Sequence, residues 1–263
     1  MLTILVGFLS SGAAQPAASS SPEWIGEPKF GHCVVRQQLK AGGPELEIRR
    51  TPGSDYTGVY FRYQKGLLTT SRSLAGVSMK MEPGWSTVTK SEFGPGPRRT
   101  REVSVWIDDP AFLERFATSK SVEFSHREFG TLSTPISAPS AAIAILRDCE
   151  DRGMRSWGID PVAWRSLRSR PVPVTPYHEW LSSEDYPPVA NFYGVEADLI
   201  LRVSVGADGR ILDCANLSRS AHIAFVKATC RAFTRNGRFH PAIDAAGRPT
   251  ETQTSFIVSF RRR

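Results

Sequence analysis

Between residues 195 and 217 apolar and polar positions alternate through two runs with a turn between them. Val195, Ala197, Leu199, Leu201, Val203 and Val205 fall on one side of the first run; Glu196, Asp198 and Arg202 fall on the other. A period of two marks a strand with one buried face. Gly206-Ala207-Asp208-Gly209 interrupts the pattern, and Asp-Gly is a strong hairpin signal because Gly accepts the positive φ of a tight turn. A second strand follows over 210–217. Ile223, Val226, Cys230 and Phe233 then recur at offsets of three, four and three, one face of a helix over 221–235. Ser220 suits its N-cap and Asn236-Gly237 its end. Alternation returns from Thr252 to Phe260. Strand, strand, helix and strand in that order predict a small antiparallel sheet with one main helix on one face.

The first half also reads as strands before helices. Cys33-Val34-Val35, Leu46-Glu47-Ile48, Val59 to Tyr63, Val103 to Ile107 and Ser121 to His126 are strand-like, with Gly42-Gly43-Pro44 and Pro52-Gly53-Ser54-Asp55 as turns between the first of them. Asp109-Pro110 starts a helix that runs to about Thr118. A second helix is expected over Pro139 to Arg152, with Ala142, Ile145, Leu146 and Cys149 on one face and Gly153 as its stop. The Gly- and Pro-rich stretch from Thr69 to Arg101 supports no assignment. Trp157 and Trp164 are expected to cover the end of this first unit.

Pro171, Pro173 and Pro176 alternate with other residues between the halves. Such a run favours polyproline II, and its six residues reach about 19 Å at roughly 3.1 Å each. The expected fold class is therefore α+β in two domains: residues 22–170, a linker over 171–183, and a small unit over 184–263.

Composition changes this picture little. The apolar fraction is 40% and the net charge +7, but the basic residues are scattered apart from Arg98-Arg99, Arg101 and Arg261 to Arg263. No run interleaves Lys or Arg with stacking aromatics, so nucleic acid is not the expected partner.

The start matters more. Leu2 to Leu9 is a short apolar run, followed by small residues from Ser10 to Ala18. This is the pattern of a secretory signal peptide over residues 1–21, cleaved between Ala13 and Ala18. A run of eight residues is too short to span a bilayer, which takes about 20. An exported, periplasmic protein without a spanning segment is the expectation.

Four cysteines in an exported chain suggest two disulfides, with three connectivities open. Cys33–Cys149 and Cys214–Cys230 are preferred, because each pair then lies inside one unit. Cys214 is in the second strand of the small unit and Cys230 on the packing face of its helix. The spacing lacks C-x-x-C, so zinc is not expected.

No catalytic pattern in the sequence is complete. His178-Glu179 lacks the second His of a metalloprotease helix, since position 182 is Ser. No Gly-x-Ser-x-Gly elbow occurs, and Gly94-Pro95-Gly96-Pro97 has no Lys-Ser/Thr to hold a phosphate. No catalytic residue, cofactor or metal is expected, although an enzyme with chemistry in the first unit remains an alternative class.

The ordered set Tyr186-Pro187, Ala190, Asp208-Gly209-Arg210-Ile211, Leu217-Ser218 with Ser220, Arg238-Phe239, Pro241-Ala242, Gly247-Arg248-Pro249 and the closing Phe260 resembles the carboxy-terminal domain of the TonB family of energy transducers. The resemblance covers about residues 184–263. It implies a non-enzymatic periplasmic domain that binds extended peptides of outer-membrane receptors or other envelope proteins by strand addition. It also implies that the accepting edge is the closing strand. There Phe256 and Phe260 mark the helix-facing side. Gln253, Ser255, Ile257 and Ser259 form the partner-binding side, where side-chain changes should matter little. A second copy of the domain is another occupant such an edge admits. Energy transduction to outer-membrane receptors is the alternative reading.

Overall fold

The computed structural model describes residues 23–29, 31–38, 43–64, 73–97, 100–188, 195–218 and 222–260. The expected signal peptide, Ala190, Arg98-Arg99, Ser220 and Arg261 to Arg263 lie outside them.

The first unit is built on one nine-stranded antiparallel sheet. Its strands are β1 (Trp24–Lys29), β2 (His32–Gln38), β3 (Glu45–Arg50), β4 (Tyr56–Tyr63), β5 (Ser73–Glu82), β6 (Trp85–Pro95), β7 (Arg101–Asp108), β8 (Ser121–His126) and β9 (Gly130–Pro135), in the spatial order β1-β2-β3-β4-β7-β6-β5-β8-β9. Alternation sorts their residues. Leu46, Ile48, Val59, Phe61, Val103, Val105, Val77, Met79, Val122 and Phe124 all point into one core. Two helices cover that face: α1 (Phe112–Ala117), through Phe112, Leu113 and Phe116, and α2 (Pro139–Ser156), through Ala142, Ile143 and Leu146. The stretch that the sequence left unassigned is the β5–β6 hairpin, turned at Pro83-Gly84.

Two expectations need correction here. Helix α2 does not stop at Gly153 but runs on to Ser156. Gly153 instead makes room for a close approach, because a Cβ there would lie 2.5 Å from Pro52 Cγ. The buried face of α2 also passes through Ile143 and Met154, with Ile145 and Cys149 at its border. Beyond α2, a short helix α3 (Pro161–Ser166) is capped by Asp160, whose carboxylate accepts from the Val162 amide at 2.9 Å. Trp164 joins Met154 and Ile159 in a small separate core, with Trp157 against it.

The expected linker is held against the second unit. Strand β10 (Val172–Pro173) pairs with β13 (Phe239–His240), and Ser169 bridges to Ile243. A 3-10 turn, Tyr177–Trp180, then buries Trp180 among Phe233, Phe239 and Phe256, with ring centroids 5.1, 5.3 and 6.2 Å away. The alternating prolines kept the segment extended, and Trp180 supplied the apolar anchor that a free spacer would lack.

The second unit has the predicted plan. Strands β11 (Ala197–Val205), β12 (Ile211–Asn216) and β16 (Thr252–Phe260) form a sheet in the order β12-β11-β16. Two short strands, β14 (Ala242–Ile243) and β15 (Pro249–Thr250), form a separate hairpin. The main helix, α4 (Ile223–Asn236), lies on the sheet face made by Leu199, Leu201, Val203, Phe256, Val258 and Phe260. Its inward face is Phe225, Val226, Thr229, Ala232 and Phe233, whereas Ile223 is exposed. The apolar face is therefore rotated from the one read in the sequence. Phe225 decides this, because it meets Phe260 at 4.8 Å and Tyr186 at 5.5 Å. Its N-cap is His222, whose Nδ1 accepts from the Ala224 amide.

Candidate functional site

Strand β16 is paired with β11 along one side, from Val205↔Thr252 to Ala197↔Phe260. Backbone groups of successive residues in such a pair point alternately toward the partner and away from it. The Ser255 amide points away, because it donates to the Gly53 carbonyl at 3.0 Å. The same period turns the amides of Gln253, Ile257 and Ser259 outward, so the four residues read from the sequence as the partner-binding strand share one edge direction.

Their surroundings differ. Ser255 is 2% exposed. Its hydroxyl donates to the Pro52 carbonyl at 2.7 Å, and the Thr254 hydroxyl donates to the Gly53 carbonyl at 3.0 Å. Gln253 is half-buried and reaches Ser204 Oγ. Ile257 is half-buried and Ser259 exposed, with the Ser259 hydroxyl on Asp198 at 2.6 Å. Among the described residues neither Ile257 nor Ser259 has a backbone partner on the outer side. A loop of the first unit covers the Ser255 side chain.

That loop, Thr51 to Asp55, belongs to a wider contact. Arg202 donates to the Trp157 carbonyl at 2.7 Å, and Arg170 pairs with Asp55 at 2.6 Å. His32 Nδ1 lies 3.0 Å from the Thr51 hydroxyl. Burial and then the Arg49 charge pull the His32 pKa down to about 4, against smaller opposing effects of Asp198 and Glu47. His32 is thus neutral at neutral pH. In the sequence, Pro52-Gly53 is visible as a turn and Ser255 as a polar outward position. Nothing in either pattern says that the two meet.

A second feature that sequence reading missed stands on the outer face of the large sheet. Arg62 is buried and binds Glu45, Glu47 at 2.7 Å and Glu102 at 2.6 Å, while Arg49 binds Glu47. Burial alone would raise the Glu47 pKa, but the hydrogen bond from Arg62 and the charges of Arg49 and Arg62 hold it below the usual value. The partners come from β3, β4 and β7, so only strand order brings them together.

The cysteines form two bonded pairs, Cys33–Cys149 at 2.02 Å and Cys214–Cys230 at 2.01 Å. The first ties β2 to α2, and the second ties β12 to α4. Among the described residues, no helix is long and apolar enough to cross a membrane.

A three-stranded antiparallel sheet with one helix on it, and a closing strand whose outer side is open in part, define a small α+β domain. Residues 182–261 match the family model of the Gram-negative bacterial TonB protein C-terminal domain. The second unit is therefore a TonB C-terminal domain by this match. The match leaves the nine-stranded unit outside it. No curated protein and no solved structure matches the chain.

Proposed function

We propose that this chain is a periplasmic binding protein whose TonB C-terminal domain takes an extended segment of another envelope protein by strand addition along β16, at Ile257 to Phe260. One observation carries this reading: the Gly53 carbonyl is already bound by the outward Ser255 amide. The edge thus has the geometry to accept a backbone carbonyl, and the next two outward amides on the same strand have no such acceptor among the described residues. Strand addition draws its affinity from backbone hydrogen bonds and its selectivity from alternate side chains. Here the alternate outward positions would be Ile257 and Ser259.

A photo-crosslinking residue in place of Ile257, in the full chain and in envelope extract, tests this. A discrete adduct is expected with the otherwise native protein. It should vanish when Ser259→Pro removes the outward amide without loss of the folded-state circular dichroism. An adduct unaffected by Ser259→Pro in a folded protein means that the partner does not add as a strand at this edge.

A further inference from the structure

The outer face of the nine-stranded sheet carries a cleft of about 820 Å³, floored by β4, β6 and β7 and walled by the turn that bears Tyr177 and His178. Its size is that of a ligand site. Register builds the floor: Gly58 lies opposite Trp106, and Tyr56 opposite Asp108. With no side chain at Gly58 the indole can settle over the strand; a Cβ there would be 2.9 Å from Trp106 Cζ3. Tyr60 meets the same indole edge-on at 5.6 Å. Trp106 is therefore held in place, yet it stays 41% exposed beside a Tyr56 that is 45% exposed. Tyr177 adds a third ring, fixed against Phe256 at 5.5 Å.

At the Tyr56 end of the cleft one carboxylate lacks a cation among the described residues. Asp109 accepts from the Ala111 amide and pairs with Arg115 at 3.3 Å. Asp55 is paired with Arg170. Asp108 is hydrogen-bonded to the Tyr56 hydroxyl and has no cationic partner among the described residues. Burial, and then the Asp55 charge, raise its carboxyl pKa; burial and then Asp108 push the Tyr56 hydroxyl up to about 12. An anion would be repelled here. An aliphatic group would cover the rings but leave the carboxylate unmet. A cation lying on a ring face beside a carboxylate answers both. The same sheet face already contains that arrangement: Arg49 lies 4.0 Å over the Tyr60 ring and binds Glu47.

We propose that the cleft formed by Tyr56, Trp106, Asp108 and Tyr177 binds a basic side chain, lysine or arginine, presented by a partner polypeptide. The site is distinct from the β16 edge and does not rest on strand addition there. Because Tyr177 belongs to the segment anchored on the second unit, the cleft is complete only while the two units are docked.

The test is titration of the full chain, followed by NMR at the Trp106 indole N–H. The probe is an acetylated, amidated tripeptide with a central lysine or arginine, and matched peptides carry norleucine or glutamate. Saturable shifts of the Trp106 signal with the basic peptides alone are expected, weakening as salt rises. Asp108→Asn, nearly isosteric, should cut affinity roughly tenfold. Calorimetric titration of Trp106→Phe, which retains a ring, should show a smaller loss. No shift with millimolar basic peptide, equal binding of the norleucine peptide, or unchanged affinity in Asp108→Asn overturns the proposal. So does a neutral oligosaccharide that moves the Trp106 signal when the basic peptides do not.

Discussion

The amide of Ser255 donates to the carbonyl of Gly53, 3.0 Å away and in the other unit of the chain. This bond turns the closing strand of the TonB C-terminal domain into a partly filled edge. It also makes the loop from Thr51 to Asp55 a part of the candidate binding site.

Proline substitutions at two positions of β16 should therefore behave differently. Ser255→Pro removes the amide that meets Gly53, and with it the hydroxyl on Pro52. The units should loosen, seen as faster proteolysis around residues 166–171, while far-ultraviolet circular dichroism is kept. Ser259→Pro should leave proteolysis unchanged and abolish crosslinking at Ile257. Equal proteolysis of both variants and of the native chain would show that the Gly53 contact does not hold the units together.

Gly53 itself has φ +74°, and a Cβ there would stand 2.9 Å from Ile159 Cδ1. Gly53→Ala should cost about 1 kcal/mol for the left-handed backbone, since the end of the Ile159 side chain can move aside. Denaturant unfolding measures it. An unchanged midpoint would mean that the loop shifts freely and is not held by β16.

Arg62 faces three carboxylates in a largely buried setting, with 8% of its side chain exposed. Arg62→Ala takes this cation from Glu45 and Glu102 and leaves Glu47 with Arg49 alone, so the loss should be about 3 kcal/mol. Glu102→Gln, which leaves two acids on the arginine, should cost less. If chemical denaturation gives the two variants equal losses, the three acids do not act as a set around this residue.

The neutral His32 gives a pH dependence with a definite sign. Its pKa is about 4 in the folded chain against 6.5 for the free group, so the unfolded chain binds more protons between those values. Stability from this residue is fully present above pH 6.5 and is lost as pH falls from 6.5 through 4. His32→Gln should remove that share, so melting temperatures at pH 7 and pH 4.5 should differ less than in the native protein. Identical pH profiles would place His32 in solvent, away from Arg49 and Thr51.

Reduction should act unequally on the two units. The Cys214–Cys230 bond closes a separation of 16 residues and Cys33–Cys149 one of 116. In the chain-entropy model these are worth about 3 and roughly 5 kcal/mol. Cys33→Ser with Cys149→Ser should therefore lower the denaturation midpoint of its unit further than Cys214→Ser with Cys230→Ser lowers that of the other. Four thiols alkylated in the native protein would contradict both bonds.

The sequence by itself determined the plan of the second unit, because each element there is a local matter. Alternation in 197–205 and 252–260, Asp208-Gly209 at the turn and Asn236-Gly237 after the helix depend on neighbours a few residues apart. The ordered motifs from Tyr186 to Phe260 carried the family resemblance on the same local grounds. The rotation of α4 was less legible: Ile223, Val226, Cys230 and Phe233 keep helical spacing as well as Phe225, Thr229 and Phe233 do, and only the position of Phe260 selects between them. The β5–β6 hairpin was hidden by its Gly and Pro content, which local rules read as turn. What tertiary structure alone decided is long-range. Gly53 reaches Ser255 across 202 positions of sequence, Arg62 reaches Glu102 only because β4 lies beside β7, and Tyr177 closes a cleft whose floor is drawn from three strands. Such contacts are set by which apolar faces find each other when the two cores form, and no pattern within a few residues records that choice.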